Sequence, residues 1–203
     1  MQFARLLDLL EIRSENTIGL TAALVDWLDS DQSLTAGGAE NPAYVHLPYR
    51  VGDTLLGDIS ELERVRGFDE EIVARLAPVA CVRPNAAPNR INVNTLRPEQ
   101  APLLTMLLGG ELSMQAAAEV IRTRPHGGWA DIDAFFASPR LAALEISAPT
   151  RAYFDVRSSF FIAVIEVQYR DARENSVALL QAGGGQVRTL RRVFGAGAWE
   201  HAL

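Results

Sequence analysis

Lysine is absent from this chain of 203 residues: all 19 of its basic residues are arginine. The single cysteine, Cys81, excludes an internal disulfide, and because it lies in an apolar stretch we expect its thiol to be buried. No run of about 18 apolar residues occurs, so the sequence contains no candidate membrane-spanning helix. The opening residues 1–12 mix charged with apolar side chains, which excludes a signal peptide and predicts an amphipathic helix.

Sequence motifs for catalysis are missing as well. The chain has no HExxH pattern, no glycine-rich phosphate loop after a strand, and no histidine close to a serine or cysteine. Its three histidines, His46, His126 and His201, are far apart and form no zinc-binding pattern. The formal net charge of −6 disfavours binding to phosphate backbones. We therefore expect a protein that is neither an enzyme nor a nucleic-acid binder.

Apolar periodicity and capping residues predict a series of short helices in residues 1–149. A linker at residues 83–90 divides this helical domain into two units, at about 1–82 and 91–149. Within these units, predicted helices cover residues 1–10, 17–28, 61–65 and 70–76, then a stretch that runs through Leu108, and finally 114–122 and 132–136. The predicted N-caps of the later helices are Asp58 or Ser60, Asp69, Thr95, Ser113 and Asp131.

Residues 150–203 have a different character and predict an antiparallel sheet. Residues 153–169 are rich in aromatic and β-branched side chains, and two further strands are predicted at 177–180 and 187–194. Helices followed by a three-stranded meander indicate an α+β fold. Beyond Phe194 the glycine-rich end of the chain is expected to form a flexible tail.

The most informative chemistry lies in the sequence DWLDSDQSLTAGGAEN. Between Arg13 and Arg50 the chain has five acidic residues and no basic one. Asp29, Asp31, Ser33, Thr35 and Glu40 fall at positions 1, 3, 5, 7 and 12 of a twelve-residue window, from which calcium loops supply oxygen ligands.

The match to a calcium loop is partial, and two interpretations stay open at this point. A standard loop has glycine at position 6, where this chain has Leu34, and Pro42 makes a regular following helix improbable. One interpretation is a loop that binds a hard cation, with calcium preferred over magnesium because flexible carboxylate-rich loops suit calcium. The other is a solvated acidic loop that merely ends the preceding helix.

The order of several motifs resembles one known family. LVDWLDSDQ, GAENPAY and PYR are followed by DISELERVRGFDEEIVARLAPVAC and then by INVNT. This combination resembles general secretion pathway protein K, the K-class minor pseudopilin of type II secretion, from about residue 3 to residue 194. The resemblance implies a pilin-like antiparallel sheet with a large inserted helical domain that contains helix-hairpin-helix (SAM-like) units. The membrane helix and first strand of the family are not in this sequence.

The resemblance also implies a function, partners and a metal. Such proteins sit at the tip of a periplasmic pseudopilus beside I-class and J-class minor pseudopilins, start or cap its assembly, and bind calcium in the helical domain. The implied location is the periplasm, with an anchor in the inner membrane through the missing helix, and secreted cargo is a further candidate partner. Combining the motif with the spacing predicts seven metal ligands: Asp26, Asp29, Asp31, Ser33, Thr35, Glu40 and Asn41.

The alternative is a helix-hairpin-helix DNA-binding protein of the competence type, which INVNT and the following two helices also resemble. Residues 91–147 contain four arginines and six acids, a net charge of −2, whereas DNA binders carry basic patches. Glu111 also occupies the predicted hairpin, where a phosphate would approach. The DNA-binding interpretation is therefore the less favoured of the two.

Overall fold

Helices precede a three-stranded sheet in this computed structural model, which describes residues 2–12, 17–83, 85 and 90–195. The α-helices are α1 (Gln2–Leu9), α2 (Thr17–Leu28), α3 (Glu70–Leu76), α4 (Ala101–Leu107), α5 (Met114–Arg122), α6 (Ile132–Phe136) and α7 (Ala148–Arg151). Short 3-10 helices lie at Asn41–Tyr44, Ile59–Arg64 and Pro98–Gln100. No helix of the described residues is both long and apolar enough to cross a membrane.

One hydrophobic core runs through both halves of the helical region. α1 packs against both α2 and α4, and α4 packs against α5. Burial of each large apolar side chain contributes roughly 1.5–3 kcal/mol to folding. The largest side chains that are completely enclosed come from every part of this region: Leu7, Val65, Leu76, Val93, Leu104, Val120, Phe135 and Leu141.

Most of the predicted helix starts are confirmed by their caps. The side chains of Asp69, Ser113 and Asp131 accept hydrogen bonds from backbone N–H groups in the first turns of α3, α5 and α6. The predicted cap at Thr95 is wrong, because the Thr95 hydroxyl instead donates to the carbonyl of Asn92 at 3.0 Å. The helical stretch starts later, at Pro98, whose ring fixes the backbone angle of a first helical residue.

Two very short strands close the second half of the helical region. β1 (Ile91–Asn92) pairs in parallel with β2 (Phe154–Asp155). Asn94, just after β1, fastens the same junction: its Nδ2 donates to the carbonyls of Trp129 at 2.9 Å and Val156 at 3.3 Å. Its Oδ1 accepts the N–H of Trp129 at 2.8 Å. The side chain therefore holds three segments that are distant in sequence.

The antiparallel sheet predicted for the end of the chain is confirmed, with longer strands. β3 (Phe160–Tyr169), β4 (Ala172–Gly183) and β5 (Gln186–Phe194) lie in the order β3-β4-β5, with a register irregularity between Leu179 and Leu180. The first predicted strand began at residue 153, but Phe154–Asp155 pairs with β1 rather than with this sheet. The α+β class is therefore correct.

Three other expectations have different outcomes. The prediction that Cys81 is buried is wrong, because residues after α3 run along the surface and leave its side chain exposed. The division into a helical domain 1–149 and a sheet 150–203 stays a prediction. Most of the expected tail, residues 196–203, lies outside the described residues.

Candidate metal site

The acidic loop begins at the C-terminal end of α2. Asp26 lies in the last turn of this helix with no exposed surface, and Asp29 follows directly, its N–H bonded to the carbonyl of Val25 at 3.0 Å. The C-terminal end of a helix carries partial negative charge, which disfavours nearby carboxylates. The sequence thus places two acids where the backbone itself repels them.

Asp26 is enclosed by the returning loop. Its Oδ1 accepts the N–H of Thr35 at 3.1 Å, whereas its Oδ2 is buried and has no hydrogen-bond partner. Gly38 packs directly against this carboxylate, because a Cβ added there would lie 2.1 Å from Oδ2. The turn is closed by the Gly38 N–H, which donates to the Thr35 carbonyl at 2.7 Å. The missing side chain of Gly38 makes room for the carboxylate.

Glu40 and Asp29 add further unpaired oxygens. Glu40 is 4% exposed, and both of its carboxylate oxygens are buried without a partner, as is Oδ1 of Asp29. Burial raises the pKa of Glu40, and the negative charges of Asp26, Asp29 and Asp53 raise it further. The backbone of Asn41 acts on this pKa in the opposite direction. Four buried carboxylate oxygens from three residues therefore accept no hydrogen bond of normal geometry, although the Asn41 N–H lies near enough to Glu40 to lower its pKa.

This arrangement fits a hard cation. Burying a charged carboxylate without a hydrogen-bond donor destabilises the folded chain by several kcal/mol. A cation bound to the carboxylate offsets that cost. Calcium takes six to eight oxygen ligands, including backbone carbonyls, in flexible geometry. From Asp26 to Asn41 the possible donors are oxygens alone, because this stretch contains no cysteine, methionine or histidine. Asp26, Asp29 and Glu40 are the residues that would hold the ion.

The carboxylates are not arranged as a finished cage. Within the described ranges, no group of three or more His, Cys, Asp or Glu side chains is placed to hold a metal by itself. Because calcium also takes carbonyl, hydroxyl and water oxygens, two or three carboxylates and a loop backbone are a sufficient protein contribution. The case for a cation therefore depends on the buried, unpaired oxygens and not on the mutual placement of the carboxylates.

The remaining predicted ligands lie at the edge of the site or serve the loop itself. Asp31 and Ser33 are exposed, and Asp31 Oδ1 accepts the Ser33 N–H at 2.7 Å, which makes a local turn. Thr35 donates its backbone N–H to Asp26, and its carbonyl accepts the N–H of Gly38. The amide of Asn41 donates to Gln32 Oε1 at 2.6 Å and accepts from the Val51 N–H at 3.3 Å. Metal coordination by the seven predicted residues stays a prediction.

A cluster of aromatic side chains packs beside the acidic loop. Trp27, which lies between Asp26 and Asp29, is 5% exposed, and its ring centroid lies 5.5 Å from that of Tyr44 and 6.3 Å from that of Tyr49. The Tyr44 hydroxyl accepts the Arg66 N–H at 3.1 Å. Gly52 packs so closely that an added Cβ would lie 2.7 Å from Trp27 Nε1. Trp27 is therefore a core packing residue beside the loop.

One acid near the site was missed by sequence reasoning. Asp53 lies in the loop after Tyr49, outside the twelve-residue window, and its charge acts on Glu40. A usable signal was present: Gly52-Asp53 is a turn-forming pair, and Asp53 adopts a φ of 49°, which aspartate tolerates better than most residues. The twelve-residue window ends at Glu40 and therefore does not include Asp53.

Comparison with known proteins identifies the family. Two family models, both described as type II secretion system protein K, match residues 1–85 and 91–157. Type II secretion system protein K of Klebsiella pneumoniae is 34% identical over 195 residues, which is 95% of this chain and 59% of that protein. The protein of the same description from Aeromonas hydrophila is 33% identical over 197 residues, with the same two coverages. The chain thus spans about three-fifths of the length of these relatives.

A solved structure has the same fold. It is the crystal structure of the GspK-GspI-GspJ complex from the type 2 secretion system of enterotoxigenic Escherichia coli, and a chain of it superimposes with a TM-score of 0.81 and 26% identity. The match covers 96% of this chain and 69% of that chain. None of these relatives supports the DNA-binding alternative. On the two family models and these relatives, the chain belongs to the type II secretion system protein K family.

Proposed function

We propose that this chain is the periplasmic part of a minor pseudopilin, which sits at the tip of the type II secretion pseudopilus and starts or caps its assembly for protein export. The observation that carries the proposal is the likeness to a chain of the GspK-GspI-GspJ complex, with a TM-score of 0.81. The role is binding and scaffolding rather than catalysis. The partners are then the I-class and J-class minor pseudopilins, and an inner-membrane anchor belongs to the longer protein.

The sheet supports a role in assembly because one of its faces is apolar and open. In antiparallel pairing, residues directly opposite each other share a face, and the alternation along each strand identifies the rest. This open sheet face carries five large apolar side chains that are 47–68% exposed: Phe161, Val167, Tyr169, Val187 and Phe194. An apolar face of this kind is typical of a surface that is covered in an assembly.

The helical region supports the same proposal. We assign the predicted helix-hairpin-helix unit to α4, the turn at 108–113 and α5. Gly109 and Gly110 adopt left-handed backbone angles in this turn. Glu111 lies in this turn, so the unit presents negative charge to solvent. We propose that it serves as a packing module of the scaffold rather than as a phosphate-binding hairpin.

Complex formation tests the assembly proposal. The chain is mixed in calcium with the purified periplasmic domains of an I-class and a J-class minor pseudopilin from the same bacterium and analysed by size-exclusion chromatography with light scattering. A discrete complex that contains one copy of each protein is expected. Elution of all three proteins at their separate positions would contradict the proposal, and an unrelated acidic protein of similar size provides the control.

We propose further that a calcium ion binds between α2 and the returning loop. Asp26, Asp29 and Glu40 would hold the ion, which supplies the positive charge that their buried oxygens lack. Asp31, Ser33, Thr35 and Asn41 remain candidate ligands in the same loop. The consequence is mechanical, because neutralised carboxylates allow the loop to stay folded against the helix.

Thermal melts in calcium, magnesium and chelator test the metal site. An ion that binds only the folded chain stabilises it by about 2.7 kcal/mol at a hundredfold excess over its dissociation constant. The expected result is a higher melting temperature in calcium for the wild-type chain and for the control Glu145→Gln, whose site is exposed. Glu40→Gln should lose the shift. Equal melting temperatures of the wild type in calcium and chelator would refute the site.

A further inference from the structure

Asp53 enters the site from a loop far along the chain. It is exposed, whereas Asp26 and Glu40 are buried, and Gln32 connects it to Asn41, the residue after Glu40. Its φ of 49° is a left-handed conformation that asparagine and aspartate adopt more readily than most other side chains. The backbone at this position is therefore compatible with its residue.

A chain of amide hydrogen bonds fixes Asp53 relative to the acidic loop. Gln32 Nε2 donates to both carboxylate oxygens of Asp53, at 3.2 Å and 3.3 Å. The Oε1 of the same Gln32 accepts from Asn41 Nδ2 at 2.6 Å, and Asn41 Oδ1 accepts the Val51 N–H at 3.3 Å. Asn41 directly follows Glu40. The two amides thus join the acidic loop at both of its ends to the segment that carries Asp53.

We infer that Asp53 is a further carboxylate of the calcium site, held at its mouth by Gln32 so that its charge attracts and retains the divalent ion. This inference rests on the proposed calcium site. The amides of Gln32 and Asn41 then act as positioning groups, because their own hydrogen-bonding atoms are engaged with each other, with Asp53 and with the backbone.

The charge of Asp53 has opposite effects in the two states of the site. Without an ion, another negative charge beside the buried Glu40 raises the energy of the folded chain. With an ion, the same charge stabilises it. A residue with a merely structural role would stabilise both states alike. The two roles therefore differ in the sign of their effect on the ion-free chain.

The substitution Asp53→Asn separates these roles. Asparagine keeps the left-handed backbone, and its Oδ1 can still accept a hydrogen bond from Gln32, so the change removes little besides the charge. Calcium binding is measured by calorimetry at low and high salt, and the melting temperature is measured in chelator. We expect binding to be weaker by about tenfold at low salt, with a smaller difference at high salt. We expect the melting temperature in chelator to be no lower than that of the wild type.

Glu145→Gln is the matched control, since it removes one negative charge from an exposed position on another part of the chain. Equal calcium affinity in Asp53→Asn and the wild type would overturn the inference, and so would a lower melting temperature in chelator. If the wild type itself binds no calcium, the proposed site fails instead. If the wild type, Glu145→Gln and Asp53→Asn all bind calcium with the same affinity, the calcium site stands and only the role inferred for Asp53 fails.

Discussion

Gly38 shows how a single absent side chain shapes the candidate site. Its backbone approaches the buried carboxylate of Asp26, and the carbonyl of Thr35 would lie 3.0 Å from an added Cβ. Its φ is not in the left-handed region, so the requirement for glycine here is one of space rather than of backbone angle. Asp26 is enclosed and cannot move away.

The substitution Gly38→Ala is therefore expected to lower the free energy of unfolding by about 2 kcal/mol, as overpacking of a filled site does. The measurement is urea unfolding in chelator, so that any loss of ion binding does not contribute. Gly127→Ala is the matched control, because a Cβ added there meets nothing within 4 Å and its φ is ordinary. An equal effect of the two substitutions would show that the close approach at Gly38 is wrong.

At the same scale, the sequence pointed to the acidic loop but did not indicate which of its side chains are buried. The twelve-residue spacing gives Asp31 and Ser33 the same weight as Glu40, yet the first two are exposed and Glu40 is buried. Spacing rules assume one loop geometry. Here the turn from Thr35 to Gly38 folds the chain back onto α2, which brings Glu40 toward Asp26. Tertiary folding, which spacing cannot express, decides which oxygens are buried.

Among the elements, the turn after β1 depends on Asn94. Its side-chain amide makes two donated hydrogen bonds and one accepted bond to the backbone of Trp129 and Val156. Gly128 lies so close that an added Cβ would be 2.8 Å from the Asn94 amide. The INVNT motif thus has a structural reason: only a side chain with both a donor and an acceptor satisfies these backbone groups.

The substitution Asn94→Asp should lower the free energy of unfolding by about 2 kcal/mol, because carboxylate oxygens would then face the two carbonyls that now accept hydrogen bonds. Chemical denaturation at neutral pH measures the change. Gln168→Glu makes the same chemical change at an exposed position of β3 and should stay within about 0.5 kcal/mol of the wild type. Similar losses for both would rule out the proposed role of the Asn94 amide.

Helix and strand assignments were predictable where a local signal is strong. Asp69, Ser113 and Asp131 cap helices because their short side chains bond the first-turn N–H groups without help from the rest of the fold. Thr95 carries the same signal but uses its hydroxyl within a preceding turn. β1 and β2 contain two residues each, too few for any sequence period to develop. Their pairing depends on contacts across the helical region.

In the whole molecule, the α+β class followed from the change in composition after residue 149, because aromatic and β-branched residues favour strands. What surrounds the sheet was not predictable. A cleft of about 680 Å³ lies between the helical region and the sheet, and its lining includes Ile162, Leu179 and Val193. The ion pair between Arg191 and Asp58, 3.3 Å apart, crosses it. The open sheet face lies on the other side, although Phe161 of that face also borders the cleft.

The pairing of Ile91 with Phe154 affects which parts of the chain can change in length during evolution. The segment between β1 and β2 leaves and re-enters the structure at adjacent points, one strand spacing of about 4.8 Å apart. Because the two ends are neighbours, exposed loops within this segment can change in length while the flanking backbone keeps its course, whereas its helices are bound to the rest of the core through the packing of α4 on α1. Changes in loop length between those two strands therefore leave the sheet undisturbed.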